Sequence, residues 1–288
     1  MTHIEALSQA WPLGIATYPL RGIEDAIRLG TTCQQYWFRG HSQRFERLLP
    51  TVYRAPFHSA QENIEFRAGQ RFRLRARSFE SRVPDWGEYL LWLLMMQHYG
   101  VPTRLLDWTQ SILVALYFAV GDPVEEPGEV WCMNPSRLNY HGDYRICGPD
   151  DPPIRYLAAQ VFLKPEQLPR MAETLDLKKT PTTALALIPP FEFPRMASQM
   201  SRFTIHPSPD ATAMIEFLLR TETCLVRYTV PAASKARLRK DLASLGVSHE
   251  TLYHSHESLA RTIREEILEK DYDLVNPPHF ETEPEPAS

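Results

Sequence analysis

The sequence predicts a single mixed α+β domain, a sheet flanked by helices over one dominant core. Three observations predict it. Apolar residues recur at helical spacing through much of the first 120 positions. From Gly128 onward, β-branched and aromatic runs alternate with breakers such as Asn134-Pro135, Gly148-Pro149, Pro152-Pro153, Pro189-Pro190 and Pro207, the pattern of strands and loops. A chain of 288 residues, 43% hydrophobic and 23% charged, is enough for one sizeable core.

In chain order, Ile4, Leu7 and Trp11 sit at helical spacing, and after Gly22 so do Ile23, Ala26 and Ile27, which predicts one or two helices before residue 30. The aromatic run Tyr36-Trp37-Phe38-Arg39-Gly40 predicts a strand, and Leu48 to Arg54 an extended loop or turn. A helix is expected over 61–80, with Ile64, Phe72 and Phe79 near one face. Asp85-Trp86-Gly87-Glu88 has capping-box form ahead of an almost wholly apolar helix over 86–99, stopped by Gly100 and Pro102. A second apolar helix is expected from Thr109 or Ser111 to just before Gly121. Strands are expected at 128–133, 184–188, 202–206 and 224–230, and two closing helices at 232–245 and 257–270. Residues 271–288 hold five acids, four prolines and no Lys or Arg, the composition of a disordered tail, so the domain is expected to span 1–270.

Composition excludes several classes. The net charge of −4 does not mark the whole chain as a nucleic-acid or membrane-surface binder. Cys33, Cys132, Cys147 and Cys224 form no Cys-x-x-Cys pair and have no histidine at zinc spacing, so no metal is expected. Met1-Thr2-His3-Ile4-Glu5 lacks a secretory opening, and the apolar runs are too short to span a bilayer. A reduced, cytoplasmic setting is the expectation.

Two stretches concentrate chemistry. The first is the polar hinge from Gln97 to Thr109, wedged between the apolar segments 86–96 and 112–120. Buried His, Arg and Asp side chains need partners, because an unpaired one costs several kcal/mol. Such a hinge is either the floor of a cleft or a structural tie in which Arg104 pairs with Asp107. His98, in the last turn of its helix, should have its pKa raised by the negative end of the dipole. The second stretch is 39–82, with ten arginines, no lysine and four acids. Arg39 at a strand end offers a planar fork suited to pyrophosphate or carboxylate, beside Gly40, where a ligand or another backbone can come close. The remaining arginines are either phosphate contacts or a solvated helix face.

With both stretches in view, the chain resembles the FRG domain family, named for the tripeptide present here as Phe38-Arg39-Gly40. The more specific match is Gln97-His98-Tyr99-Gly100, then Pro102-Thr103-Arg104-Leu105-Leu106-Asp107-Trp108-Thr109, then Ala115-Leu116-Tyr117-Phe118-Ala119. Softer matches at Arg195 to Phe203 and Val230 to Gly246 extend the likeness over roughly 35–260. His254-Ser255-His256-Glu257 departs from the Pro-Asp pair that similar proteins tend to carry.

The family's motif order is similar to that of ADP-ribosyltransferases. The likeness implies a split β-sheet core and NAD as the bound substrate or cofactor. It implies that Arg39 and Gly40 hold the dinucleotide, with Gln97, His98, Thr103 and Arg104 along the ribose and phosphates. Asp107 would orient Arg104 or His98, and Trp108 or Tyr117 would stack on nicotinamide. Gln199 would stand at the catalytic strand position, so that Arg39, His98 and Gln199 are the candidate catalytic set. An amide is no base, and the sequence does not choose among Glu192, Glu216 and Glu222 for a carboxylate. The resulting expectation is an NAD-dependent ADP-ribosyltransferase acting on nucleic acid, DNA first, through 39–82, in a toxin or phage-defence setting. The alternatives are a nucleotide- or nucleic-acid-binding module without turnover, and a hydrolase built on His98 and Asp107.

Overall fold

The computed structural model describes residues 17–45, 48–57, 63–140, 142–211 and 225–269. The expected helix around Ile4 to Trp11 and the acidic tail lie outside them, as do Arg47, Glu216, Glu222 and Cys224. Among the described residues, seven strands form one mixed sheet. They are β1 (Thr17–Pro19), β2 (Trp37–His41), β3 (Leu105–Thr109), β4 (Gly128–Met133), β5 (Leu185–Leu187), β6 (Ser201–Ile205) and β7 (Leu225–Val230), in the order β1-β7-β4-β2-β3-β6-β5. Before β4 lie the helices α1 (Ile23–Thr32), α2 (Ile64–Ala76), α3 (Tyr89–His98) and α4 (Ile112–Ala119). After β4 come α5 (Pro135–Tyr140), α6 (Pro152–Ala159), α7 (Leu168–Thr174) and α8 (Pro194–Ser198). The chain closes with α9 (Ala232–Ser244), α10 (His249–Tyr253) and α11 (His256–Glu269).

The sheet is continuous but has a seam. β2 pairs with β4 along its whole length, from Trp37↔Met133 to His41↔Glu129, and β3 pairs fully with β6. Between β2 and β3 the register holds only Phe38↔Thr109. The two halves of the sheet therefore diverge from that point, and each half carries its own helices. On one half α1, α4 and α9 cover Phe38, Val130, Cys132 and Tyr228. On the other, α3 and α6 bury Leu105, Leu185, Phe203 and Ile205. The opposite face holds a third cluster with Trp37, Leu106, Trp108, Trp131 and Met133. Trp37 and Phe38 fall into different clusters because successive strand side chains point to opposite faces.

The interior of the hinge differs from the expectation. Leu105 to Thr109 is a strand, so the apolar helices are joined as helix–strand–helix rather than by a turn. α3 starts at Tyr89, a turn later than the Asp85 capping pattern predicts. Glu88 does reach back, accepting from the Asp85 N–H at 2.5 Å. The Asp85 carbonyl accepts from the Glu88 N–H at 3.0 Å as well as from the Trp92 indole, which makes a tight turn rather than a helical bond, and the helical ladder begins with the Trp92 N–H on the Glu88 carbonyl. α4 begins where Ser111 Oγ accepts from the Val114 N–H. Gly40 answers the question posed by its missing Cβ. A Cβ there would lie 1.8 Å from the Ala115 carbonyl oxygen, so the close approach is by the α4 backbone and not by a ligand.

Candidate functional site

A hollow of about 250 Å³ lies over the seam, between the two helical layers. β2 gives it Phe38, Arg39 and Gly40, and β3 gives Asp107, Trp108 and Thr109. Gln97 of α3, Val114 and Phe118 of α4, and Arg195, Gln199 and Ser201 close the rest. The diverging strands create this space: where a full ladder would fill the gap with backbone pairs, one guanidinium spans it.

That guanidinium belongs to Arg39. Its Nη1 donates to the Asp107 backbone oxygen at 2.6 Å and lies 3.7 Å from the Asp107 carboxylate, while Nε donates to His41 Nε2 at 2.8 Å. For His41 to accept, its imidazole must be neutral. Burial, followed by the nearby charges of Arg39 and Arg54, holds its pKa well below the ordinary value. Burial also brings Arg39 down to about 10, partly offset by Asp107, so it stays charged at neutral pH. Asp107 is the acidic side chain lining the hollow, and its side chain is 55% exposed. Gln97 Nε2 donates to its Oδ2 at 2.8 Å, and the Gln97 carbonyl oxygen accepts from the Thr103 hydroxyl. The carboxylate is thus held from two sides and open on the third.

Of the residues singled out from the sequence, Arg39, Gly40, Gln97, Asp107, Trp108 and Gln199 meet at this hollow. Thr103 stands behind it, buried, as the support for Gln97. Four expectations are corrected. Arg104 does not pair with Asp107 and does not face the hollow: its Nε donates to Glu65 at 2.8 Å and its Nη1 to Gln160 at 2.7 Å, deep in the fold. Burial disfavours its charge, but Glu65 and Tyr53 together outweigh this and its pKa is raised. The foreseen Arg104–Asp107 tie is absent among the described residues, and the buried ion pair at the hinge is made instead with Glu65, 39 residues away. His98 does not line the hollow either, since its ring stacks on Phe193 at 4.2 Å between centroids. Burial first and Arg195 second lower its pKa, which reverses the expected dipole effect. Tyr117 points to a neighbouring cavity, where its hydroxyl lies 3.1 Å from His249 Nδ1. Trp108 is 3% exposed and donates from its indole to Thr204, so it forms the floor rather than a stacking lid.

Gln199 lies at the rim, where its Nε2 donates to the Leu252 carbonyl at 3.3 Å and its own carbonyl accepts from Thr109. That makes it a tie between the end of α8 and α10 rather than a base. Glu192 is exposed and does not line the hollow. Sequence reasoning missed Arg195, although it stands in the same block as Gln199. Its guanidinium lies 4.4 Å over the Tyr253 ring, which fixes it at the wall. Arg54 was also missed. It acts electrostatically on Arg39 and His41 from the segment between β2 and α2.

The arginine-rich stretch separates by role. Arg73 is buried against Trp86, Tyr89, Trp92 and Phe162, and Arg39 and Arg54 belong to the site. Arg44, Arg67, Arg71, Arg75, Arg77 and Arg82 are exposed. Among the described residues there is no group of three His, Cys, Asp or Glu side chains placed to hold a metal ion, and no helix long and apolar enough to cross a membrane.

Residues 34–127 match the family model of the FRG domain. The match covers β2, the hinge and α4, and it ends before the softer resemblances at 195–203 and 230–246. No curated protein and no solved structure matches the chain.

Proposed function

We propose that the chain, which carries an FRG domain over residues 34–127, is an NAD-dependent ADP-ribosyltransferase whose chemistry takes place in the hollow over the β2/β3 seam. One observation carries this reading: a charged arginine, Arg39, and an open carboxylate, Asp107, face the same hollow from strands 68 residues apart. The residues suit the dinucleotide's chemistry. Arg39 and Arg195 supply planar, donor-rich forks for the oxygens of the nicotinamide ribose. Phe38, Val114 and Phe118 form an apolar wall for a flat ring. The volume of about 250 Å³ falls just below the roughly 300–1,000 Å³ usual for ligand pockets, so it takes the nicotinamide nucleoside end rather than the whole molecule.

Asp107 is then the carboxylate that the sequence left unassigned. As the bond from ribose C1′ to the nicotinamide nitrogen breaks, the electron pair leaves with nicotinamide and positive charge develops on the ribose. Asp107 stabilises that charge, and Gln97 and Arg39 keep it oriented. The acceptor's nucleophile bonds to C1′ and gives its proton to Asp107 or to water. Nucleic acid is the proposed acceptor, with the exposed arginines of α2 and its C-terminal end meeting phosphates. Three described cysteines, Cys33, Cys132 and Cys147, are free and buried, which accords with a proposed cytoplasmic setting.

The test is nicotinamide release from NAD, and transfer of labelled ADP-ribose to DNA or RNA, by wild type and Asp107→Asn. The amide keeps the shape and should retain NAD binding while lowering turnover at least about 100-fold. A second reading, binding without turnover, draws on the carboxylate already being engaged by Gln97 and Arg39. Equal NAD affinity in both proteins with no nicotinamide release from either would establish that reading and remove the transferase.

A further inference from the structure

We infer that a second hollow, lined by Tyr117, Phe118, Arg239, His249, Tyr253 and Arg261, is the other half of the same site and binds a nucleoside diphosphate, the ADP moiety of the dinucleotide. Two observations join the cavities. Phe118 lines both. Arg195, in the wall of the first, stacks on Tyr253, in the wall of the second. The Phe118 ring and the Arg195–Tyr253 cation–π pair therefore stand between the two cavities. The second cavity measures about 340 Å³. The first is short of the roughly 300–1,000 Å³ of a typical ligand pocket, whereas the two together fall well inside it.

The lining has the chemistry of a nucleotide site. Tyr117, Phe118, His249 and Tyr253 offer flat faces for a purine, and the His249 and Tyr253 rings already lie 4.3 Å apart. Arg239 and Arg261 bring two cations against one acid, Asp122, whose Oδ1 is 3.4 Å from Arg239. A buried cation adds to this. Lys235 Nζ donates to the carbonyls of Ser42, Gly121 and Pro123 at 2.6, 3.1 and 2.6 Å. Ser42 and Gly121 both line the hollow, so carbonyl dipoles that would repel a phosphate are engaged by an ammonium instead. This inference takes the identity of the dinucleotide from the proposed function, while the assignment of a diphosphate to this cavity stands on its own residues.

The experiment is calorimetric titration of the full chain with ADP and, separately, with nicotinamide mononucleotide. The proteins compared are wild type, Arg261→Ala, His249→Ala and Arg39→Ala, with melting temperatures as the check on folding. Arg261→Ala changes an exposed side chain and should weaken ADP binding about tenfold, the effect of one lost charge-assisted contact. It should leave nicotinamide mononucleotide unchanged, and Arg39→Ala should do the reverse. The inference is overturned if wild type fails to bind ADP at millimolar concentration. It is equally overturned if neither Arg261→Ala nor His249→Ala moves ADP affinity, or if only Arg39→Ala does. ADP binding with the expected dependence, but no binding of nicotinamide mononucleotide and no release of nicotinamide from NAD, would reject the transferase and leave the second cavity assigned.

Discussion

Arg39 and Asp107 meet across the seam between β2 and β3, where only Phe38 and Thr109 are in register. The guanidinium donates to the Asp107 backbone oxygen at 2.6 Å and stands 3.7 Å from its carboxylate. The same side chain that closes the seam is thus the cation of the hollow, which couples the sheet's geometry to the site's charge.

Arg39→Lys should separate those roles. An ammonium keeps the charge but cannot reach His41 and the Asp107 carbonyl at once, as the planar fork does. Nucleotide affinity should fall about tenfold or more, with a smaller loss of stability, read by calorimetry beside thermal unfolding. Unchanged affinity would show that charge alone suffices.

Glu65→Gln should be among the more damaging single changes, because it leaves Arg104 charged and buried without its carboxylate. Breaking a buried pair in this way costs about 3–5 kcal/mol, measurable from the urea midpoint. In the double variant Glu65→Leu with Arg104→Met, part of that loss should return. Recovery stays incomplete, because Glu65 also accepts from the Arg104 backbone N–H at 2.7 Å.

Acid should destabilise the fold through its buried histidines. His206 is inaccessible, and burial, with Arg104 and Arg39 nearby, depresses its pKa to about 3 from an ordinary 6.5. Above pH 6.5 it is neutral folded or unfolded. Between 6.5 and about 3 the unfolded chain binds the extra proton, so stability falls with pH by about 1.4 kcal/mol per unit for each such group. His41, also depressed, adds to the slope. Urea unfolding between pH 7 and 4.5 should show a slope that is shallower in His206→Gln; identical slopes would remove His206 from the account.

Gly40→Ala should cost roughly 3 kcal/mol, at the upper end for overpacking, since the new methyl meets the Ala115 backbone and not a side chain that can turn away. Gly100→Ala, where φ is +76° and nothing lies within 4 Å, should cost only about 1 kcal/mol of left-handed strain. Comparing their melting temperatures tests whether packing or backbone freedom matters at each.

Local patterning made much of this molecule legible. β4 has the limits the sequence predicts, β7 follows the expected strand through its described residues, and α3 and α9 each end one residue short of the expected 99 and 245, α3 just ahead of Gly100. In these segments burial imposes a period that the chain itself displays. β3 was not visible, because Leu105 to Thr109 is short and its Asp107 breaks the apolar run; its pairing with β6, nearly 100 residues later, makes it a strand. Charge partners were not visible either. Spacing along the chain suggested Asp107 for Arg104, yet Arg104 is held by Glu65 and Asp107 by Arg39 and Gln97.

The sequence by itself determined which residues are polar among apolar neighbours, and so which ones needed partners. Only the tertiary structure decided who those partners are, since an ion pair depends on distance in space and the chain's folding sets that distance. The same fact divided the predicted site: Arg39, Gln97 and Asp107 face an opening, while Arg104 and His98 were drawn into packing.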